Sequence, residues 1–311
     1  KFWKHLASYI KAQLEKAGTE DTKKWAKANP DHWVFKEADP ELVQKYEQQI
    51  APESKWDFAG FIFPEMDENH SFAMFTFPDV NFSGAQFQGV ANFWRAQFQG
   101  AANFLSARFQ GAANFWRAQF QGAANFWRAQ FQGAAYFRSA RFQDVAYFLS
   151  ARFQGVADFS GARLQRAAYF LGAQFQGAAN FRSARFQGVA YFSFAQFQAP
   201  TYFTRAEIDR LMDFSSIKVR NRLLFAGTDF GDNARILLWN IDFVYGKSDI
   251  KMENGHTKGQ IIEPAGQVVF QDIPKGINQV SFLHTDILTD RLCVRFSNVK
   301  WEKDAKKFIF D

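Results

Sequence analysis

The sequence predicts a mainly β solenoid, in which short extended segments bend into coils and the coils stack as a β-helix. Three observations carry this reading. Phenylalanine supplies 40 of 311 residues and aromatic residues 18% of the chain, while hydrophobic content is an ordinary 47%, so Phe is being placed at fixed intervals. From Ala91 the chain reads as eleven units of eleven residues, the last cut short: ANFWRAQFQGA, ANFLSARFQGA, ANFWRAQFQGA, and onward to AYFSFAQFQAP and TYFTRAEI. Each unit holds two large apolar residues, five and then six apart, beginning Phe93, Phe98, Phe104, Phe109, with an alanine, or Thr201 once, two before each.

An eleven-residue period also fits a right-handed helical supercoil. On a helix, however, Phe93 and Phe98 stand about 140° apart and Ala91 and Phe93 about 160° apart, which scatters the apolar residues around the cylinder. Gly100, Gly111, Gly122 and Gly133 weaken such a helix once per repeat. A strand places residues two apart on one face, so Ala91 and Phe93 point inward together and Asn92 and Trp94 point outward. A chain that bends every five or six residues closes a coil with four short sides.

The units A-N-F-W-R, A-Q-F-Q-G and A-R-F-Q-G resemble the A-(D/N)-(L/F)-x-x signature of pentapeptide-repeat proteins. The resemblance covers residues 58–217 well and parts of 220–300 weakly. It implies a right-handed quadrilateral β-helix with the central Leu/Phe and the Ala two before it inside. Coils of that family normally take four pentads. Here alternate sides carry a sixth residue, so about 22 residues per coil are expected, the extra one at a Gly-Ala or Gly-Val corner. Four interior ladders follow, starting from Phe93, Phe98, Phe104 and Phe109 and rising in steps of 22, each buried Phe contributing roughly 1.5–3 kcal/mol. Two outward columns are nearly pure glutamine, Gln88 to Gln198 and Gln99 to Gln187, and are expected to hydrogen-bond along the axis as stacked amides.

Three regions are expected: a helical N-terminal cap at 1–57, the β-helix at 58–217, and an irregular β-rich segment at 218–311 with further pentad-like coils. Phe2, Leu6, Ile10 and Leu14 are four apart and Gly18 stops that helix; Asp39-Pro40-Glu41 starts another that runs to about Ile50. Such helices cover an end whose unpaired backbone would otherwise template aggregation. The first coil, around FAGFIFPEMDENHSFAMFTF, starts irregularly. Beyond 218 a polar hairpin is expected near GKSDIKMENGHTKGQ, Phe282, Ile287 and Leu292 repeat at pentad spacing, and the closing FIFD reads as a strand without a cap, as in part of a longer protein.

The net charge is +6, and it resides on the array, where residues 91–208 hold 12 Arg against Asp144, Asp158 and Glu207. The lone Cys293 excludes an internal disulfide and fits a reducing compartment. With no signal-peptide pattern visible, a cytoplasmic address is favoured. The chain starts at Lys1 rather than Met, so its true N-terminus is expected to be missing or processed. No apolar run approaches the ~20 residues of a membrane span. His5, His32, His70, His256 and His284 are scattered, Cys293 has no activating base nearby, and Gly255-His256-Thr257-Lys258-Gly259 departs from the phosphate-loop order. No catalytic, cofactor-binding or metal site is expected, and an enzyme would have only a cleft between the array and 218–311 to work in.

The outward residues are more informative. Trp94-Arg95, Trp116-Arg117 and Trp127-Arg128 stand where the family pattern puts small polar residues, and Trp and Arg are the types that carry interface hot spots. They form the candidate partner-binding surface, Trp94 over Trp116 on one side and Trp127 on the opposite side near Leu105 and Leu149, unless the flanking segments fold over them. A scaffold or protein–protein interaction module follows, holding another protein or further copies of itself. Some members of the family resemble duplex DNA and bind type II topoisomerases. That role needs a negative surface, and this array is positive. An anionic partner, nucleic acid or a membrane surface, is the other alternative, weakened by the dilution of Arg with Gln, Ser and Gly.

Overall fold

The computed structural model describes residues 1–50, 55–67, 69–238, 241–243, 245–251, 257–264, 267–273, 280–282, 294–299 and 309–310. Four helices lead the chain: α1 (Phe2–Ala17), α2 (Glu20–Ala28), α3 (Trp33–Glu37) and α4 (Pro40–Glu47). The expected helix at the N-terminus ends at Gly18 as read, and α4 starts at Pro40 with Asp39 Oδ1 accepting from the Glu41 and Leu42 N–H groups. Neither α2 nor α3 was expected. In α2 only Thr22 is buried, so it carries no apolar stripe, and α3 has only five residues. Leu6, Ile10 and Leu14 of α1 join Trp33 and Val34 in one core with Trp56 and Phe58 of the first coil. Trp25 lies 4.2 Å from Phe75, and its Nε1 donates to the Met74 carbonyl. The helices therefore close the open end of the solenoid.

Past residue 55 the chain forms a quadrilateral β-helix. Wall I holds Ala91–Asn92, wall II Gln97–Phe98, wall III Ala102–Asn103 and wall IV Arg108–Phe109, and the path returns to wall I at Ala113–Asn114. Every pair in these walls is parallel. Ala113 pairs with Ala91 and Ala135, and Phe120 with Phe98 and Phe142, so one coil takes 22 residues as the two kinds of side require. The ends are less regular. Trp56 pairs with Val80 and Leu211 with Arg235, steps of 24, whereas Thr76 pairs with Gln97, a step of 21. Wall I continues through Gln267–Ile273 and Val294–Val299, and wall III through Val280–Phe282 and Ile309–Phe310. The expected polar hairpin pairs Tyr245–Lys251 with Thr257–Pro264. Its tip with His256, and also His284, Ile287, Leu292 and Cys293, lie outside the described residues.

The tube is filled by phenylalanine. Phe93, Phe115 and Phe137 stack with ring centroids 4.9 Å apart and planes 1° from parallel, and Phe104, Phe126 and Phe148 do the same opposite them at 4.8–5.0 Å. Across the tube Phe93 meets Phe104 edge to face at 5.6 Å. Slipped stacking along each ladder and T-shaped contact between ladders both suit the ring quadrupole, each pair adding ~0.5–1.5 kcal/mol beyond burial. The alanines two residues earlier are buried beside them and leave the rings room.

Two kinds of corner turn this chain. After walls I and III the turn is tight: Ala96 N–H donates to the Phe93 carbonyl, and the second of the two residues between, Arg95, sits at φ +54°. Asn92 Oδ1 accepts from Trp94 N–H, and Asn103, Asn114 and Asn125 repeat that bond two residues on, which is the Asx turn that favours Asn and Asp there. After walls II and IV the turn is wide and carries the sixth residue. A Cβ on Gly133 would stand 2.5 Å from the Gly111 carbonyl, so these glycines permit close approach of stacked backbones.

The glutamine columns correct the expectation of an amide ladder. Gln88, Gln110 and Gln132 point outward, yet among the described residues no glutamine side chain of these columns bonds to another, and it is their backbone N–H groups that donate along the axis. Axial side-chain bonds form instead in wall III from Asn103 to Asn81 at 3.1 Å and from Asn81 to Asp57 at 2.9 Å. The Asx turn fixes the shorter Asn side chain close to its neighbour on the wall, whereas the longer Gln reaches into solvent.

Candidate interaction surface

The 22-residue coil divides the three Trp-Arg pairs between two opposite walls. Trp94-Arg95 and Trp116-Arg117 lie on wall I in successive coils, and Trp127-Arg128 lies on wall III between the Leu105 and Leu149 rungs. In every case Trp is the second turn residue and Arg the left-handed third, at φ +54°, +58° and +56°. That corner folds each guanidinium back over its own indole, Cζ to ring centroid 4.7, 5.3 and 5.4 Å. Trp94 and Trp116 are neighbours at 6.5 Å but tilted by 51° rather than stacked parallel. Trp94 is half-buried, its Nε1 enclosed without a hydrogen-bond partner, whereas Trp116 and Trp127 are 38% and 42% exposed.

Two columns that single repeats do not reveal extend this surface. At the corner of walls I and II, Arg95, Arg117 and Arg141 line an open cleft of about 580 Å³ with Gln97, Gln119 and Ser139. On wall III, Tyr147, Tyr169 and Tyr191 stack at 5.4 and 5.1 Å with planes within 10° of parallel, and Phe194, at φ +61°, is 63% exposed. Writing the chain in rows of 22 would have brought both columns into view.

Elsewhere the polar groups serve the fold. His70 Nε2 lies 2.6 Å from Glu37 Oε1 and Nδ1 3.0 Å from Asp67 Oδ1, with Trp3 stacked on the ring, which ties the helices to the first coil. His32 is packed among Trp25, Trp33 and Phe75, and burial lowers its pKa to about 4. Asp39 is held below the ordinary carboxylate range by the Lys4 side chain and then by the α4 N–H groups. Among the described residues no cluster of three His, Cys, Asp or Glu side chains is placed to hold a metal ion, and no helix is long and apolar enough to cross a membrane.

Comparison with known families agrees with this geometry. The chain matches pentapeptide repeats in nine copies, with matched stretches at residues 82–130, 93–141, 126–174, 137–185 and 159–207. Residues 82–207 of this chain are pentapeptide repeats. Neither the curated proteins nor the solved structures compared with it contain a match. As a pentapeptide-repeat β-solenoid it has the architecture of a structural or interaction module: flat walls fixed by stacking, with side chains displayed at a constant rung spacing.

Proposed function

We propose that this chain is a non-enzymatic scaffold or docking module, whose rigid walls hold another protein or a further copy of the chain through the Trp-Arg positions. The observation that carries it is the exposure of Trp116 beside Arg117 on a wall fixed by the phenylalanine ladders beneath it. An indole with a guanidinium over it offers apolar area and charge together at little entropic cost, as interface anchors do. The structural test is Trp116→Ser, since Ser160 fills the equivalent turn position two coils on. The variant should keep its melting profile and lose at least about tenfold affinity for the proteins that co-purify with the native chain. An unchanged set of co-purifying proteins at unchanged affinity would remove this patch from the proposal.

An anionic partner is the second reading, favoured by the cleft of Arg95, Arg117 and Arg141. Retention on immobilised DNA that weakens steeply with salt would support it, and passage through the column at low salt would remove it. Mimicry of duplex DNA toward a type II topoisomerase is opposed by the sign of the charge on residues 91–208. Competition with DNA in a supercoiling assay would revive it.

A further inference from the structure

We propose that the corner between walls I and II is a track for single-stranded nucleic acid, with the phosphates on a row of arginines and the bases on the aromatic rings of wall I. This rests on the second reading above, that of an anionic partner, and names the polymer.

The row emerges coil by coil. Two positions at this corner face outward, the left-handed turn residue and the first residue of wall II two places on. Arg95, Arg117 and Arg205 stand at the first position, and Arg141, Arg163 and Arg185 at the second, in coils whose turn residue is Ser or Gly. Six successive coils therefore carry one exposed arginine each, a row of about 24 Å at the ~4.8 Å rung spacing. The opposite corner, between walls III and IV, has Arg108, Arg128 and Arg152 and then no arginine in the next two coils.

Such a row calls for counter-charge. Arg141, Arg163 and Arg185 are direct partners on three successive strands, and like charges directly opposite each other destabilise a sheet. Among the described residues one of the six meets a carboxylate, Arg185 Nε at 3.0 Å from Glu207 Oε2. Arg95 and Arg117 lie instead over their own indoles, and the cleft they line with Arg141 is open to solvent. A linear polyanion neutralises the whole row at once. Glu207 and Asp229 follow Arg185 on wall II and close the track at its far end, which leaves room for on the order of four to five nucleotides, the low end for single-strand sites.

The wall beside the row selects a nucleic acid over an acidic polypeptide. Trp116 and Tyr136, 38% and 40% exposed, lie in neighbouring coils of wall I and line a second open cleft of about 300 Å³ with Asn114, Arg138 and Asp158. Exposed rings beside a row of cations form a stacking platform for bases, which an acidic side chain would leave unused. Asp158, whose Oδ1 accepts from the Ser160 N–H, repels phosphate and so keeps the backbone on the corner and the bases over the wall. A duplex fits less well, because its bases are already paired and its phosphate path winds away from the row.

Fluorescence anisotropy with a labelled oligothymidylate of about twelve nucleotides, between about 50 and about 200 mM salt, tests this. The single strand should bind at least about tenfold more tightly than a duplex of equal length, and should quench tryptophan fluorescence. At about 0.7 per phosphate contacted, the plot of log affinity against log salt should have a slope of about −3. Arg141→Gln with Arg163→Gln should weaken binding about tenfold and flatten that slope by about 1.4, twice the value for one contact. Arg108→Gln with Arg152→Gln removes the same charge from the opposite corner and should cost less than about threefold. Trp116→Ser with Tyr136→Asn should cost at least about fivefold at an unchanged slope. Every replacement is one the repeat already uses at that position, as at Gln119, Gln130, Ser160 and Asn180, so the fold should hold.

Equal affinity for the duplex, equal losses from the two arginine pairs, or indifference to the aromatic pair would overturn the track while leaving an anionic partner standing. Displacement of the oligonucleotide by poly-glutamate at matched charge would make the occupant an acidic protein and overturn it as well. No binding at about 50 mM salt would remove this proposal and the anionic reading together.

Discussion

The two kinds of corner solve one problem in opposite ways. After walls I and III the chain turns tightly and bears the cost of a left-handed residue, eleven of them non-glycine among the described residues. After walls II and IV it spends a sixth residue, keeps ordinary dihedrals, and needs glycine because the coil below lies where a Cβ would stand. Glycine is therefore favoured where the φ angle is unremarkable and is mostly absent where φ is positive. Stacking distance, more than local conformation, sets the glycine pattern of this solenoid. Asp144, Arg166 and Ala199 occupy wide-corner positions too, so the corner yields to a side chain at a cost.

Substitution at the wide corner should give the largest effect. Gly133→Val forces a branched side chain against the Gly111 carbonyl and is expected to cost about 3 kcal/mol in chemical denaturation; a loss under about 0.5 kcal/mol would show that the corner is soft and break the contrast. Acidification sets the array against its cap, since residues 91–208 contain no histidine and α3 is capped by one. His32 is neutral in the fold with a pKa of about 4 against 6.5 unfolded. The unfolded chain therefore binds the extra proton between those values. Stability from this group is fully present above pH 6.5 and is lost as pH falls toward 4, about 1–2 kcal/mol after allowance for solvent screening. Intrinsic Trp fluorescence should report the helices loosening while the far-ultraviolet β signal holds, and His32→Gln should flatten the profile.

The tight corner should respond more weakly. Asn125→Ala removes the acceptor of the Trp127 N–H and is expected to cost about 1 kcal/mol, whereas Gln132→Ala on wall IV should change stability by less than about 0.5 kcal/mol. Equal losses at both sites would mean that the glutamines bear structure after all. Smallest, and opposite in sign, Ser139→Gly relieves a residue at φ +54° and should raise stability by up to about 1 kcal/mol. A melting temperature that falls instead would show that the Ser139 side chain matters more than its backbone strain.

Legibility in the sequence followed the strength of repetition. The ladders rising from Phe93, Phe98, Phe104 and Phe109 and the 22-residue coil were readable because each position is written many times over. Helix α1 was readable from one apolar stripe and α4 from one cap. Helix α2 was not, because its burial comes from Trp25 reaching Phe75 rather than from a periodic face. The candidate surface was half legible. The Trp-Arg pairs stand out as a departure from the repeat, whereas the arginine cleft and the tyrosine stack arise only when residues 22 apart become neighbours.

Local order alone determined which residues face inward, because alternation in a strand and the five-and-six spacing leave one way to bury two rings per unit. The tertiary structure decided which coils' side chains meet outside the tube, which wall stays apolar, and which polar group bonds along the axis. Those contacts depend on the exact rise and corner geometry between coils, and small differences in side-chain length, such as Asn against Gln, then decide whether a bond closes.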